Sequence, residues 1–174
     1  MTWTAPQAPR AEPPQVADER AALQGWLDYH RATLLTKCAG LTGDQLATRA
    51  VPPSSLSLLG LVRHMADVER WWFRRYTGHA ELGDLYWSEV EDVEFDQVEG
   101  PKAEADLAAY AAECAAADEA IGGLSLDQTF AHPDPARDYL VDLRWIYLHM
   151  IEEYARHNGH ADLLRELIDG VTGD

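Results

Sequence analysis

Residues 145–167, W-I-Y-L-H-M-I-E-E-Y-A-R-H-N-G-H-A-D-L-L-R-E-L, decide the fold. Apolar residues recur at three and four (Ile146, Met150, Tyr154; Ala161, Leu164, Leu167), the period of a helix with one buried side. On the same stretch His149, Glu153, His157 and His160 are spaced by four, four and three, so they project from one face, turn above turn. Stacked imidazoles and a carboxylate are costly to bury unless something uses them. A divalent metal is an economical user, since imidazole nitrogen and carboxylate oxygen both suit zinc or nickel. One helix rarely closes a coordination sphere. The best candidate for a further ligand is His64, within L-G-L-V-R-H-M-A-D-V-E-R-W-W.

Working outward, the pattern predicts three more helices. The first covers about 16–39, with Leu23, Trp26, Leu27, His30, Leu34 and Cys38 on one side and Gly40 as its stop. The second covers about 57–77, capped by Ser55 or Ser57, with a stripe of Leu58, Leu61, Val62, Met65, Val68 and Trp72. His64 lies on or beside that stripe. The third covers 101–121, opened by Pro101 and rich in alanine. The fourth, about 140–169, contains the opening stretch. Between the first two, one helical turn is expected near Asp44–Ala47. Residues 79–100 form a long acidic crossover, with Val90, Val93 and Phe95 giving a short extended piece and Tyr86, Trp87 and Phe95 folded onto the bundle. Residues 1–14, with Pro6, Pro9, Pro13 and Pro14, read as a disordered or extended tail whose Trp3 can dock back. Residues 15–174 then form one all-α domain, a four-helix bundle with one long crossover.

Composition narrows the function. The chain of 174 residues has net charge -16, which disfavours nucleic acid and anionic membranes as partners. No apolar run reaches about 18 residues, so no membrane span is expected, and the N-terminus lacks the order of a signal peptide. A cytoplasmic protein is expected. Cys38 and Cys114 stand far apart outside any C-x-x-C pair and read as buried small hydrophobes.

Bundles build metal sites from inward residues on facing helices. The set predicted here is His64, Glu153 and His157, with the i, i+4 pair biting one ion from a single face. His160 is a ligand in place of Glu153, a supporting group or a solvated residue. Three protein ligands leave positions open for water or substrate, the mark of a catalytic site. The bland alternative is a surface Glu–His pair and a hydrogen-bonded core histidine. Asp67 and Glu69 either orient an imidazole or sit on a wet helix face. Trp71 and Trp72 pack the core or line a pocket. Arg63, Arg74 and Arg75 pair with local carboxylates. His149 is given a structural role, and His30, His79 and His132 have no evident partner.

The two motifs S-L-L-G-L-V-R-H-M-A-D-V-E-R-W-W and W-I-Y-L-H-M-I-E-E-Y-A-R-H-N-G-H-A-D-L-L-R-E resemble the DinB-like superfamily, and most of all its actinobacterial mini-circle group. The resemblance runs from the first helix onward. It implies an up-up-down-down bundle, often dimeric, that binds zinc or nickel through one histidine of the second helix and two ligands of the fourth. His64 matches the first of these, His157 the second histidine of the fourth-helix motif, and Gly159 its glycine. Glu153 departs from a three-histidine set and is similar to the His, Glu, His set of the mycothiol-dependent maleylpyruvate isomerase. His160 stands where many members have Gln. The implied activity is metal-dependent S-transfer from a low-molecular-weight thiol such as mycothiol to an electrophile. A metal-dependent hydrolase and a non-catalytic metal-binding or small-molecule-binding stress protein are the alternatives.

Overall fold

The computed structural model describes residues 2–90 and 92–173. The elements in chain order are α1 (Glu19–Cys38), α2 (Gly43–Leu46), α3 (Leu58–Glu69), α4 (Val93–Asp96), α5 (Ala103–Ile121) and α6 (Leu143–Asp169). A two-stranded antiparallel ribbon, β1 (Thr129–Ala131) and β2 (Leu140–Asp142), precedes α6. The fold is all-α, a bundle of the four long helices. Among the described residues, no helix is long and apolar enough to cross a membrane.

Local chemistry sets the boundaries. Asp18, Ser57 and Asp142 cap α1, α3 and α6 by accepting bonds from the orphan amides of Ala21, Gly60 and Trp145. Thr42 and Gln45 form a capping box on α2, the single turn expected there. Gly40, at φ 79°, ends α1 in a left-handed conformation that costs glycine nothing.

The helix directions correct the up-up-down-down expectation. Pairs between α1 and α6 rise together: Glu19–Arg144, Gln24–Tyr147, His30–Asn158 and Lys37–Asp162. Arg31 and Phe73 face each other while Phe73 packs on Tyr147, so α3 runs against α1 and α6. On α5, Asp118 pairs with Arg31 and Arg20 bonds the carbonyls of Ile121 and Leu124, so α5 also runs against α1. The order is up-down-down-up. Only the crossover from α3 to α5 joins parallel helices, so only it must travel the length of the bundle.

Every residue of α3 is buried except His64. The helix is the centre of the bundle rather than one wall of it. Its two carboxylates are accordingly satisfied inside. Asp67 accepts from the amides of Leu85, Tyr86 and Trp87 at 2.6, 2.8 and 2.9 Å, which pins the crossover. Glu69 takes a two-pronged bond from Arg31 and a third from the Tyr154 hydroxyl. Neither sits on a wet face and neither reaches the histidines.

Three further features stand out. Past Glu69 the second helix continues as a π-turn over Arg70–Arg75, with the Tyr76 amide reaching back five residues to Trp71. The expected extended piece at 93–95 is instead the helical turn α4, entered through Asp92 at φ 61°. Residues 2–14 take the extended rather than the disordered form of the expected tail, and Trp3 docks on the domain. Thr4 bridges Thr42, Ala5 is buried and exchanges backbone bonds with Gly40 and Leu41, and Arg10 covers the Tyr29 ring. The prolines prevent a helix there, but extended backbone still finds partners at the end of α1.

Candidate functional site

Where α3 and α6 face each other, His64 and His157 meet with ring centroids 4.8 Å apart. On α6, His157 Nε2 lies 3.4 Å from Glu153 Oε2, the pairing that i, i+4 spacing allows. One ligand atom from each of His64, Glu153 and His157 lies within 4.8 Å of the other two. The other nitrogen of His157 faces His160, at 3.4 Å between the Nδ1 atoms. His160 therefore touches the cluster through His157. His149 lies 3.7 Å from Glu153 on the other side, stacked on Trp145 and edge-on to Trp72. A second grouping, His149, Glu152 and Glu153, shares Glu153 with the first.

The crossover completes the site. Glu94 of α4 brings its Oε1 to 3.4 Å from His64 Nδ1, and Phe95 stacks on the His64 ring at 5.3 Å. Nothing in the sequence pattern singles out Glu94, because it sits in a run of acidic residues. Its contact depends on α4 lying flush on α3, which Gly60 permits: a Cβ there would stand 2.9 Å from Phe95 Cδ1. Arg63 holds the far side of α4 by bonding the Gln97 carbonyl.

Above the cluster opens a cleft of about 590 Å³, walled by Trp71, Trp72, Trp87, Phe95, Leu56 and Val68. Trp71 and Trp72, neighbours in the π-turn, both line the cleft. Arg74 pairs with Glu113 and Arg75 with Asp84, as expected, whereas Arg63 bonds the Gln97 carbonyl and lies over the Tyr86 ring. His132 and His30 do have partners: the Asp134 amide donates to the first, and Asn158 stands beside the second.

Electrostatics suit a cluster of neutral imidazoles and one carboxylate. Burial lowers the pKa of His64, the neighbouring His157 lowers it further, and Glu94 opposes both. Burial and His157 also lower His160. The hydrogen bond from His157 holds the Glu153 carboxyl below the usual range, against burial. Neutral imidazole and ionised carboxylate are the forms that coordinate metals. The 3.4 Å Glu153–His157 separation is close to the edge of a tetrahedron with zinc bonds of about 2.0–2.1 Å. The donor set fits a divalent cation.

The molecule is thus a helical bundle whose two facing helices converge on a His, Glu, His cluster beneath an aromatic cleft. The family model for mycothiol S-transferases matches residues 22–170, nearly all of the domain, and the chain belongs to that family. Neither the curated proteins nor the solved structures compared with it gave a match.

Proposed function

We propose that this protein transfers a low-molecular-weight thiol, mycothiol, to an electrophile at a divalent metal held by His64, Glu153 and His157, with zinc or nickel as the metal. The convergence of these three side chains from α3 and α6 at the floor of the cleft carries the reading. When bound there, the cation supplies the Lewis acidity that keeps a thiol ionised near neutral pH.

The chain's own residues do the rest. Glu94 accepts a bond from His64 Nδ1–H, which leaves Nε2 as the free lone pair. His160 supports His157 from its outer nitrogen. The apolar walls exclude water from a reacting thiolate, which strengthens its electrostatic contacts. The protein's own cysteines are unsuited to the nucleophile's part. Burial pushes the Cys38 thiol up to about 12 and raises Cys114 well above its ordinary value. The sulfur must therefore come from a co-substrate. Two unpaired cysteines and an acidic surface also fit a cytoplasmic setting.

Metal analysis of the purified protein, beside His64→Ala and His157→Ala, tests the site. We expect about one equivalent of zinc or nickel per chain in the wild type. Both variants should lose the metal, and with it the mycothiol-dependent consumption of iodoacetamide, while keeping their helicity. Consumption that persists in His64→Ala sinks the mechanism. Turnover without added thiol would point to hydrolysis instead.

A further inference from the structure

We infer that the protein binds a second divalent cation, at His149, Glu152 and Glu153, with Glu153 shared between this site and the first. The inference goes beyond the transfer reading and has only Glu153 in common with it.

Glu153 stands between two histidines of α6, four residues from each. Its oxygens divide between them. Oε2 lies 3.4 Å from His157 Nε2, and Oε1 lies 3.7 Å from His149 Nε2. A carboxylate that turns one oxygen to each side can join two cations, and helical bundles hold two-metal centres on inward Glu and His residues. Glu152 is divided in the same way. Its Oε1 takes both bonds from Arg156, at 3.0 and 2.5 Å, which leaves Oε2 facing His149 Nδ1 at 3.8 Å. One ligand atom from each of His149, Glu152 and Glu153 lies within 4.8 Å of the other two, the same closeness as in the first set.

His149 is set in place by the cleft. Its ring stacks on Trp145 at 5.0 Å and 16° and meets Trp72 edge-on at 4.5 Å. These contacts fix the plane of the ring, and the nitrogen lone pairs lie in that plane. The separations of 3.7 and 3.8 Å exceed the roughly 2.7–3.2 Å of an N–H···O bond, so the carboxylates do not clasp an imidazolium. They suit an ion lying between. With metal bonds of about 2.0–2.2 Å, ligand atoms stand roughly 3.3–3.6 Å apart at a tetrahedral angle and farther apart at wider angles.

One imidazole with two carboxylates is a harder donor set than two imidazoles with one. It suits zinc, manganese or iron(II). Two dications sharing one carboxylate repel each other. Glu152 and Glu94 add negative charge on either side, while Arg156 adds positive charge. The second ion is therefore the weaker-bound and the one lost on purification.

Equilibrium dialysis of the full-length protein against zinc tests this. Chelator buffers fix the free zinc, and excess magnesium occupies the acidic surface at large. We expect two equivalents in the wild type, the second at higher free zinc. His149→Ala should lose the second and keep the first. Glu152→Gln, which keeps the shape and removes the charge, should weaken only the second, by about tenfold or more. His64→Ala should lose the first and keep the second, and Glu153→Ala should weaken both. Helicity and melting temperature check the folding of each variant. A single equivalent that ignores His149→Ala overturns the inference and leaves the first site standing. Two equivalents that both survive His149→Ala overturn it as well, because the second ion then lies elsewhere on the surface. One equivalent that survives His64→Ala but not His149→Ala overturns the His64 site and leaves the His149 set standing. No zinc at any free concentration overturns both.

Discussion

Glu94 and Glu69 show how one residue type serves two ends on either side of α3. Glu69 is fully buried and answers Arg31, so it holds the bundle together. Glu94 is buried against His64 and holds a ring at the floor of a cleft. Outer-sphere acceptors of this kind fix the tautomer and orientation of a ligating imidazole, and losing one costs about 10–100-fold in metal affinity. Glu94→Ala should therefore weaken zinc binding by about that factor in chelator competition, with unchanged helicity. Glu94→Gln should lose much less, because its amide oxygen still accepts from His64 Nδ1–H. Equal losses in the two variants would mean that the carboxylate binds the metal itself. At this scale the α6 half of the cluster was legible, since spacings of four need only the helix they sit on. Glu94 was not, because its role exists only once the crossover is laid on α3.

At the scale of elements, α1, α5 and α6 could be read because each buries one side, and one-sided burial has a period. α3 is buried all round, so the sequence suggested wet faces for Asp67 and Glu69 where the structure has none. The ribbon of β1 and β2 and the turn α4 are too short for periodicity to register. The crossover is held by Asp67 at residues 85–87 and by Arg63 at Gln97, and α4 between them is seated by shape. Gly60 lets Phe95 approach, so a side chain there must push α4 away. Gly60→Val should cost about 1–3 kcal/mol in urea unfolding, the usual penalty of overpacking. It should also weaken zinc binding in the same direction as Glu94→Ala, because both free His64 from its support. A variant that loses stability but keeps full zinc affinity would separate α4 from the site.

For the whole molecule, the buried histidines and the acidic surface pull stability in opposite directions as pH falls. His30, His64 and His160 all have native pKa values lowered by burial from an ordinary value of 6.5. As pH drops through that value the unfolded chain takes up protons first, while the native state takes them up only at lower pH. Protons bound preferentially by the unfolded state favour unfolding, so the contribution is full above about 6.5 and is lost below it. Against this, acidification reduces a net charge of -16 and so relieves self-repulsion. Salt separates the two effects. Surface repulsion is screened over roughly 3 Å at 1 M ionic strength, whereas partly buried groups are screened far less. At high salt the metal-free protein should therefore lose stability between pH 7 and pH 5.5, read as a falling urea midpoint. His64→Gln removes one of the three titrating groups and should flatten that fall. A midpoint that rises on acidification at high salt would mean that repulsion across the acidic surface, rather than the buried imidazoles, governs the fold in this range. The site would then be a smaller burden on the bundle than its burial implies.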